Sequence, residues 1–108
     1  MIDSRVKVEI LIRVALIDND LATQEISILE DFSHDLEIEL DELYDLIEKF
    51  KNEENTWKQV KPLLEEIKTL MDRQIIIDSI KSMMEADLII KNSEQNLLNK
   101  VLDLYKID

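Results

Sequence analysis

A chain of 108 residues with 45% hydrophobic and 35% charged residues has the composition of one globular domain, and nothing within residues 1–108 divides it. Lacking cysteine, it has no disulfides, thiolate metal ligands or cysteine nucleophiles; lacking glycine, it has no loop of the kind that cradles phosphate. The net charge of −12 repels nucleic acid and anionic membranes and attracts cations or basic proteins. It is lopsided: residues 1–54 carry five Lys/Arg against sixteen Asp/Glu, a balance of −11, whereas residues 55–108 carry eight against nine, a balance of −1.

One proline and no glycine leave few breakers, and the apolar residues recur at helical spacing throughout. The expectation is an all-α, compact bundle of six or seven helices. A first helix over about Ser4–Asp18 carries a stripe of Val6, Ile10, Val14 and Ile17, flanked by Val8, Leu11, Ile12 and Ala15. So wide an apolar arc predicts a central helix. A second, over about Thr23–Leu36, turns Ile26, Leu29, Phe32 and Leu36 inward. A third, over about Leu40–Phe50, buries Leu40, Leu43, Leu46, Ile47 and Phe50. The polar stretch Lys51–Asn55 is a connection too short to separate domains.

Helical spacing resumes through Trp57, Val60, Leu63, Leu64, Ile67 and Leu70, where Pro62 either kinks one helix or opens a new one. The next helix runs from about Asp72 to Glu85. Its Ile75-Ile76-Ile77 run has β propensity, but the spacing of Ile76, Ile80, Met83 and Met84 favours helix. A last helix over about Asn92–Lys106 buries Leu97, Leu98, Val101, Leu104 and Tyr105, and Asn92 with Gln95 has the form of a capping box. Glu9 and Arg13 interrupt the first apolar stretch and Asp3 spoils a basic leader, so no signal peptide is read there. No uncharged apolar run is long enough for a bilayer. The expected setting is cytoplasmic, without membrane insertion.

The chain repeats itself weakly. Residues 14–29 read VALIDNDLATQEISIL and residues 83–98 read MMEADLIIKNSEQNLL. Asp18 aligns with Asp87, Glu25 with Glu94, Ile28 with Leu97 and Leu29 with Leu98, each pair 69 positions apart (87 − 18 = 94 − 25 = 69). Two related helix-loop-helix units would produce this pattern.

In this pattern the chain resembles the tellurite-resistance TerB family. That family has an alanine-rich helix end, Asp-Gly, a short loop and a Glu-rich helix start, usually twice. The first copy here is Ala15-Leu16-Ile17-Asp18-Asn19-Asp20-Leu21-Ala22-Thr23-Gln24-Glu25, and the second is Met84-Glu85-Ala86-Asp87-Leu88-Ile89-Ile90-Lys91-Asn92-Ser93-Glu94. Asn19 stands in the place of the usual glycine and tolerates a left-handed backbone; Leu88, in the same place, does not. Asp20 keeps an acid that Ile89 loses. The resemblance implies a TerB-like, non-enzymatic helical domain, tied to tellurite or stress resistance, with divalent-cation binding by acidic loops and use as an interaction module.

Asp18, Asp20 and Glu25 are the candidate ion site, since hard cations such as Ca2+ or Mg2+ want several carboxylate oxygens from one short loop. Thr23 and Leu29 occupy the positions where an EF-hand needs Gly and Glu, so only weak binding is expected. Asp87 and Glu94 are the matching pair in the second loop. The competing reading, to which we give more weight, is helix capping: Asp18 turns to the next helix N-terminus, and Glu25 meets its dipole favourably. No other cofactor is implied.

The acid run from Glu30 to Glu54 places Asp41, Asp45 and Glu48 on one helix face. Like charges at this spacing destabilise a helix, so a basic protein partner is one reading and a solvated face the other. His34, the only histidine, reads as a surface residue beside Glu30, and no serine has a nucleophile elbow. Trp57, Tyr44 and Tyr105 read as core or core-edge anchors. Two functions follow: a TerB-like module holding a divalent cation or basic protein, or a small acidic helical inhibitor of the immunity type that covers a basic partner. The oligomeric state is not encoded legibly.

Overall fold

The computed structural model describes residues 4–17, 23–86 and 92–105. The described residues form a bundle of six helices and include no strand: α1 (Ser4–Ala15), α2 (Thr23–Asp35), α3 (Leu40–Lys51), α4 (Trp57–Glu65), α5 (Leu70–Ala86) and α6 (Asn92–Tyr105). The all-α expectation holds, and no helix among the described residues is long and apolar enough to cross a membrane. α1 packs on α2, α3, α4 and α5, while α6 packs on α5. The wide apolar arc of α1 therefore puts it at the centre, with Val8, Ile10, Leu11 and Ile12 fully buried. Truncating such a side chain to alanine costs about 2–5 kcal/mol, because the transfer term and the cavity add.

One charged residue belongs to this centre. Arg13 is 7% exposed. Its Nε donates to Glu9 Oε2 at 2.9 Å, one turn back, and its two terminal nitrogens reach the α3–α4 connection. There they donate to Glu53 Oε1 at 2.8 Å, Asn55 Oδ1 at 3.2 Å and the Glu54 carbonyl at 3.4 Å. The guanidinium also lies 4.4 Å from the Phe50 ring centroid. Desolvation opposes the charge, but hydrogen bonds to Glu53 and Glu9 more than offset it and raise the pKa above its ordinary value. Asn55, itself buried, donates to the Phe50 and Glu53 carbonyls at 2.8 and 3.0 Å. The polar connection between α3 and α4 is thus tied to the central helix.

Without glycine the chain must end α2 by other means. Ile38 N–H donates to the Ser33 carbonyl at 2.8 Å and Glu37 N–H to that of His34 at 3.0 Å, the two bonds of a Schellman motif. That motif needs a left-handed residue, and Glu37 takes the position with φ = 61°. Glu37 is the one positive-φ residue among those described.

α4 starts on a Thr56–Gln59 capping box, in which Thr56 N–H donates to Gln59 Oε1 at 3.0 Å. Pro62 neither opens a helix nor leaves a long kinked one. It sits inside α4, which ends three residues later at Glu65. The expected continuation to Leu70 does not form: Glu66 and Ile67 N–H close the helix on the Leu63 and Leu64 carbonyls at 3.2 and 3.1 Å, Ile67 is buried in the turn that follows, and Leu70 is 75% exposed. Two side chains, Arg73 and Tyr105, secure that turn. Arg73 Nε donates to the Ile67 carbonyl at 2.9 Å, and its guanidinium lies 4.8 Å from the Tyr105 ring centroid. The Tyr105 hydroxyl donates to the Leu64 carbonyl at 2.9 Å, satisfying an acceptor at the end of α4. Burial pushes the Tyr105 phenol up to about 12, so it keeps the proton it donates.

α5 begins two residues earlier than expected, because Thr69 and Asp72 cap it. Asp72 N–H donates to Thr69 Oγ1 at 3.2 Å, and that hydroxyl donates to Asp72 Oδ2 at 2.8 Å. Lys7 Nζ holds the other Asp72 oxygen at 2.8 Å. The Lys7 and then the Thr69 hydrogen bonds keep this carboxyl below the usual range. The Ile75–Ile77 run is helical, with Ile76 and Ile77 buried.

The repeat keeps its register at the helix starts but not at the preceding helix ends, where α1 stops at Ala15 and α5 at Ala86, 71 positions apart (86 − 15). α2 starts at Thr23 and α6 at Asn92, 69 positions apart (92 − 23), and Leu29 and Leu98 are both buried. The intervening residues 18–22 and 87–91 lie outside the described residues. Gln95, expected in a capping box with Asn92, donates to Asn99 Oδ1 at 3.3 Å.

Three substitutions test these supports. Arg13→Ala is expected to lower the unfolding free energy by about 2–4 kcal/mol in urea titration, since it breaks a buried, hydrogen-bonded charge network. Arg5→Ala, at the exposed bridge to Glu42, is expected to stay within about 1 kcal/mol. Glu37→Gly is expected to raise stability by about 0.5–1 kcal/mol, because glycine adopts the left-handed position without the Cβ clash; a lower melting temperature would contradict the Schellman assignment.

Candidate functional site

The acid run divides into carboxylates with structural partners and carboxylates without. Glu53 pairs with Arg13, Glu42 accepts from Arg5 Nε at 2.6 Å, and Glu30 Oε2 accepts from the Tyr44 hydroxyl at 2.7 Å. Asp31, Glu37, Glu39, Asp41, Asp45 and Glu48 are all exposed and have no cationic partner among the described residues. Asp41 lies in the first turn of α3, where the helix dipole favours it. Asp45 and Glu48 lie farther along and gain nothing comparable. The predicted trio Asp41, Asp45 and Glu48 is therefore exposed on α3 as the spacing implied.

The same corner exposes large apolar side chains. Leu40 is 48% exposed and Tyr44 45% exposed, which corrects the expectation that Leu40 is buried and Tyr44 a core or core-edge anchor. The correction follows from the helical wheel. The buried face of α3 is Leu43, Ile47 and Phe50; Leu40 and Tyr44 align instead with Glu48 and flank Asp41 and Asp45. That alignment was the signal available in the sequence. The Tyr44–Glu30 hydrogen bond fixes the ring against α2 and raises the phenol pKa.

Beside Leu40 an open cavity of about 690 Å3 is lined by Glu30, Asp31, His34, Glu37, Ile38, Glu39 and Leu40. It lies where α2 ends and α3 begins, so the left-handed turn at Glu37 shapes one wall. His34 is exposed there, and the expected pairing with Glu30 is replaced by the Tyr44–Glu30 bond. Carboxylates around apolar walls can hold a cation attached to an apolar stem.

The candidate ion residues are placed differently. Asp18, Asp20 and Asp87 lie outside the described residues, and of Glu94 only its place in the first turn of α6 is described. Glu25 lies in the first turn of α2 as expected, and it is buried, 3% exposed, which the sequence did not reveal. Its α2 neighbours Leu29 and Ser33 are fully buried, so the innermost line of α2 runs Glu25–Leu29–Ser33. Ile26, Phe32 and Leu36, expected inward, are only half-buried. The Ser33 hydroxyl has no hydrogen-bond partner among the described residues. Among the described residues no three His, Asp or Glu side chains are grouped to hold a metal.

A second exposed apolar group, Leu70, Met71 and Ile75, lies at the start of α5. The nearest charges in sequence are of both signs, Lys68, Asp72 and Arg73, so this group lacks the one-sided field of the α2–α3 corner.

No protein-family model, curated protein or solved structure matches the chain.

Proposed function

We propose that this chain is a non-enzymatic, TerB-like binding module that holds a basic protein partner on the acidic corner of α2 and α3. One observation carries the reading: exposed carboxylates without cationic partners among the described residues surround Leu40 and Tyr44, two large apolar side chains left in water. Like charges four residues apart weaken a helix by a few tenths of a kcal/mol per pair, roughly, and a cationic partner reverses that cost. Complementary charge also speeds encounter and rejects acidic competitors. The non-enzymatic reading rests on composition: no cysteine or glycine, and a single histidine on the surface. Both a TerB-like module in stress or tellurite resistance and an immunity-type inhibitor would use such a corner, and they differ in the partner.

The test compares the chain with its Asp41→Asn/Asp45→Asn/Glu48→Asn variant as baits, with bound proteins identified by mass spectrometry. Basic proteins are expected on the native bait, released by salt, and depleted on the neutralised one. Equal recovery on both would refute the assignment of the corner.

Divalent-cation binding by the first loop is the second reading, and the burial of Glu25 at the start of α2 favours it. Glu25 follows Asp18 and Asp20 in the sequence, so three carboxylates fall within eight residues, the oxygen donors that a hard cation takes. The second loop offers Asp87 and Glu94 but has Ile89 where the first has Asp20. NMR titration with Ca2+ and Mg2+ is expected to give weak, saturable shifts confined to residues 18–25. Shifts spread evenly over residues 30–54 would leave only diffuse counter-ion attraction.

A further inference from the structure

The outer face of α3 is ordered as well as acidic. Leu40 and Tyr44 stand one turn apart, a rise of about 6 Å along the axis. Asp41 and Asp45 repeat that interval one position on, and Glu48 continues the line of Leu40 and Tyr44. An apolar row and an acidic row therefore run side by side along the helix. At the N-terminal end of α3 they meet the open cavity, where Ile38 and Leu40 lie among Glu37 and Glu39. The Glu30 hydrogen bond holds Tyr44, so this member of the apolar row is set before any partner arrives.

The matching surface is another helix. Its apolar side chains would recur at three- or four-residue spacing to meet Leu40, Tyr44 and the cavity, with lysines or arginines one position away to meet the carboxylates. A flexible polycation would answer the charge but leave the apolar row in water. A second copy of this chain pairing the same face would set the two acid rows against each other. We propose that the α2–α3 corner seats an amphipathic basic helix of a partner protein. This rests on the basic-partner reading above and adds the shape and side-chain order of the ligand.

The test uses three labelled peptides and fluorescence anisotropy at physiological salt. The first is a Leu/Lys helix of about five turns with its leucines on one face; the second has the same composition with the periodicity scrambled; the third is oligolysine of equal charge. The first is expected to bind at least about tenfold more tightly than either control. The Leu40→Ser/Tyr44→Ser variant is expected to lose about tenfold or more of that affinity, as removal of central anchors does. The Leu70→Ser/Met71→Ser variant is expected to stay within about twofold, since that group lacks the acidic row. All these positions are exposed, and circular dichroism checks that each variant keeps its helix content. Amide shifts on adding the first peptide should concentrate at residues 30–48. If the scrambled peptide and oligolysine bind as well as the first, the helix seat is wrong while the basic-partner reading stands. If no cationic peptide binds, both fall. Shifts centred on residues 70–75 would overturn the placement.

Discussion

The architecture depends on a charged side chain in an apolar helix. α1 is the element that α2, α3, α4 and α5 share, and Arg13 interrupts its buried surface with a guanidinium. A buried charge is tolerable only when its donors are met. Glu9 comes from the same helix, but Glu53, the Glu54 carbonyl and Asn55 come from the α3–α4 connection. Meeting the charge therefore fixes where that connection runs. It also fixes where α3 ends and α4 begins, because Phe50 packs under the guanidinium and Asn55 holds the Phe50 carbonyl. An apolar residue in place of Arg13 could fill the space but could not direct the connection's polar groups.

The absence of glycine has a second structural consequence. Among the described residues, helix ends are secured by side chains and by one left-handed glutamate. Thr56 with Gln59 and Thr69 with Asp72 cap the starts of α4 and α5. Tyr105 and Arg73 hold the carbonyls beyond Pro62. Among the described residues only the end of α2 turns through a left-handed residue, and that turn brings α3 back beside α2. The candidate binding corner is the product of this turn: it juxtaposes the acids at the end of α2 with the outer face of α3.

The acid band serves two purposes. Glu42 and Glu53 neutralise arginines and hold the fold, whereas the carboxylates at the corner have no such partner among the described residues. A net charge of −12 by itself is compatible with solubility alone. The separation of paired acids from unpaired ones, and the exposed Leu40 and Tyr44 among the latter, turns a bulk property into a local one.

The helices were legible in the residues. Apolar spacing and the lack of breakers located all six, the central position of α1 followed from its wide apolar arc, and the exposure of Asp41, Asp45 and Glu48 followed from their shared face. These are local properties, set by period and composition. Other features were decided only in the folded chain. The sequence marks Arg13 as a break in an apolar stretch and Glu25 as an ion ligand or first-turn acid, but the burial of either is not legible there, because burial depends on what packs opposite and no local pattern carries that. Leu40 and Leu70, each at the start of a helix, read as core by hydrophobicity, yet nothing in the bundle covers them there. Glu37 gives no sign of a left-handed turn, since its conformation is imposed by the carbonyls of α2 and by Ile38 reaching the core. The number and type of elements rest on contacts a few residues apart. The pairing of charges and the exposure of particular side chains rest on contacts between segments distant in the chain, such as Arg13 with Glu53, and only the tertiary structure specifies those.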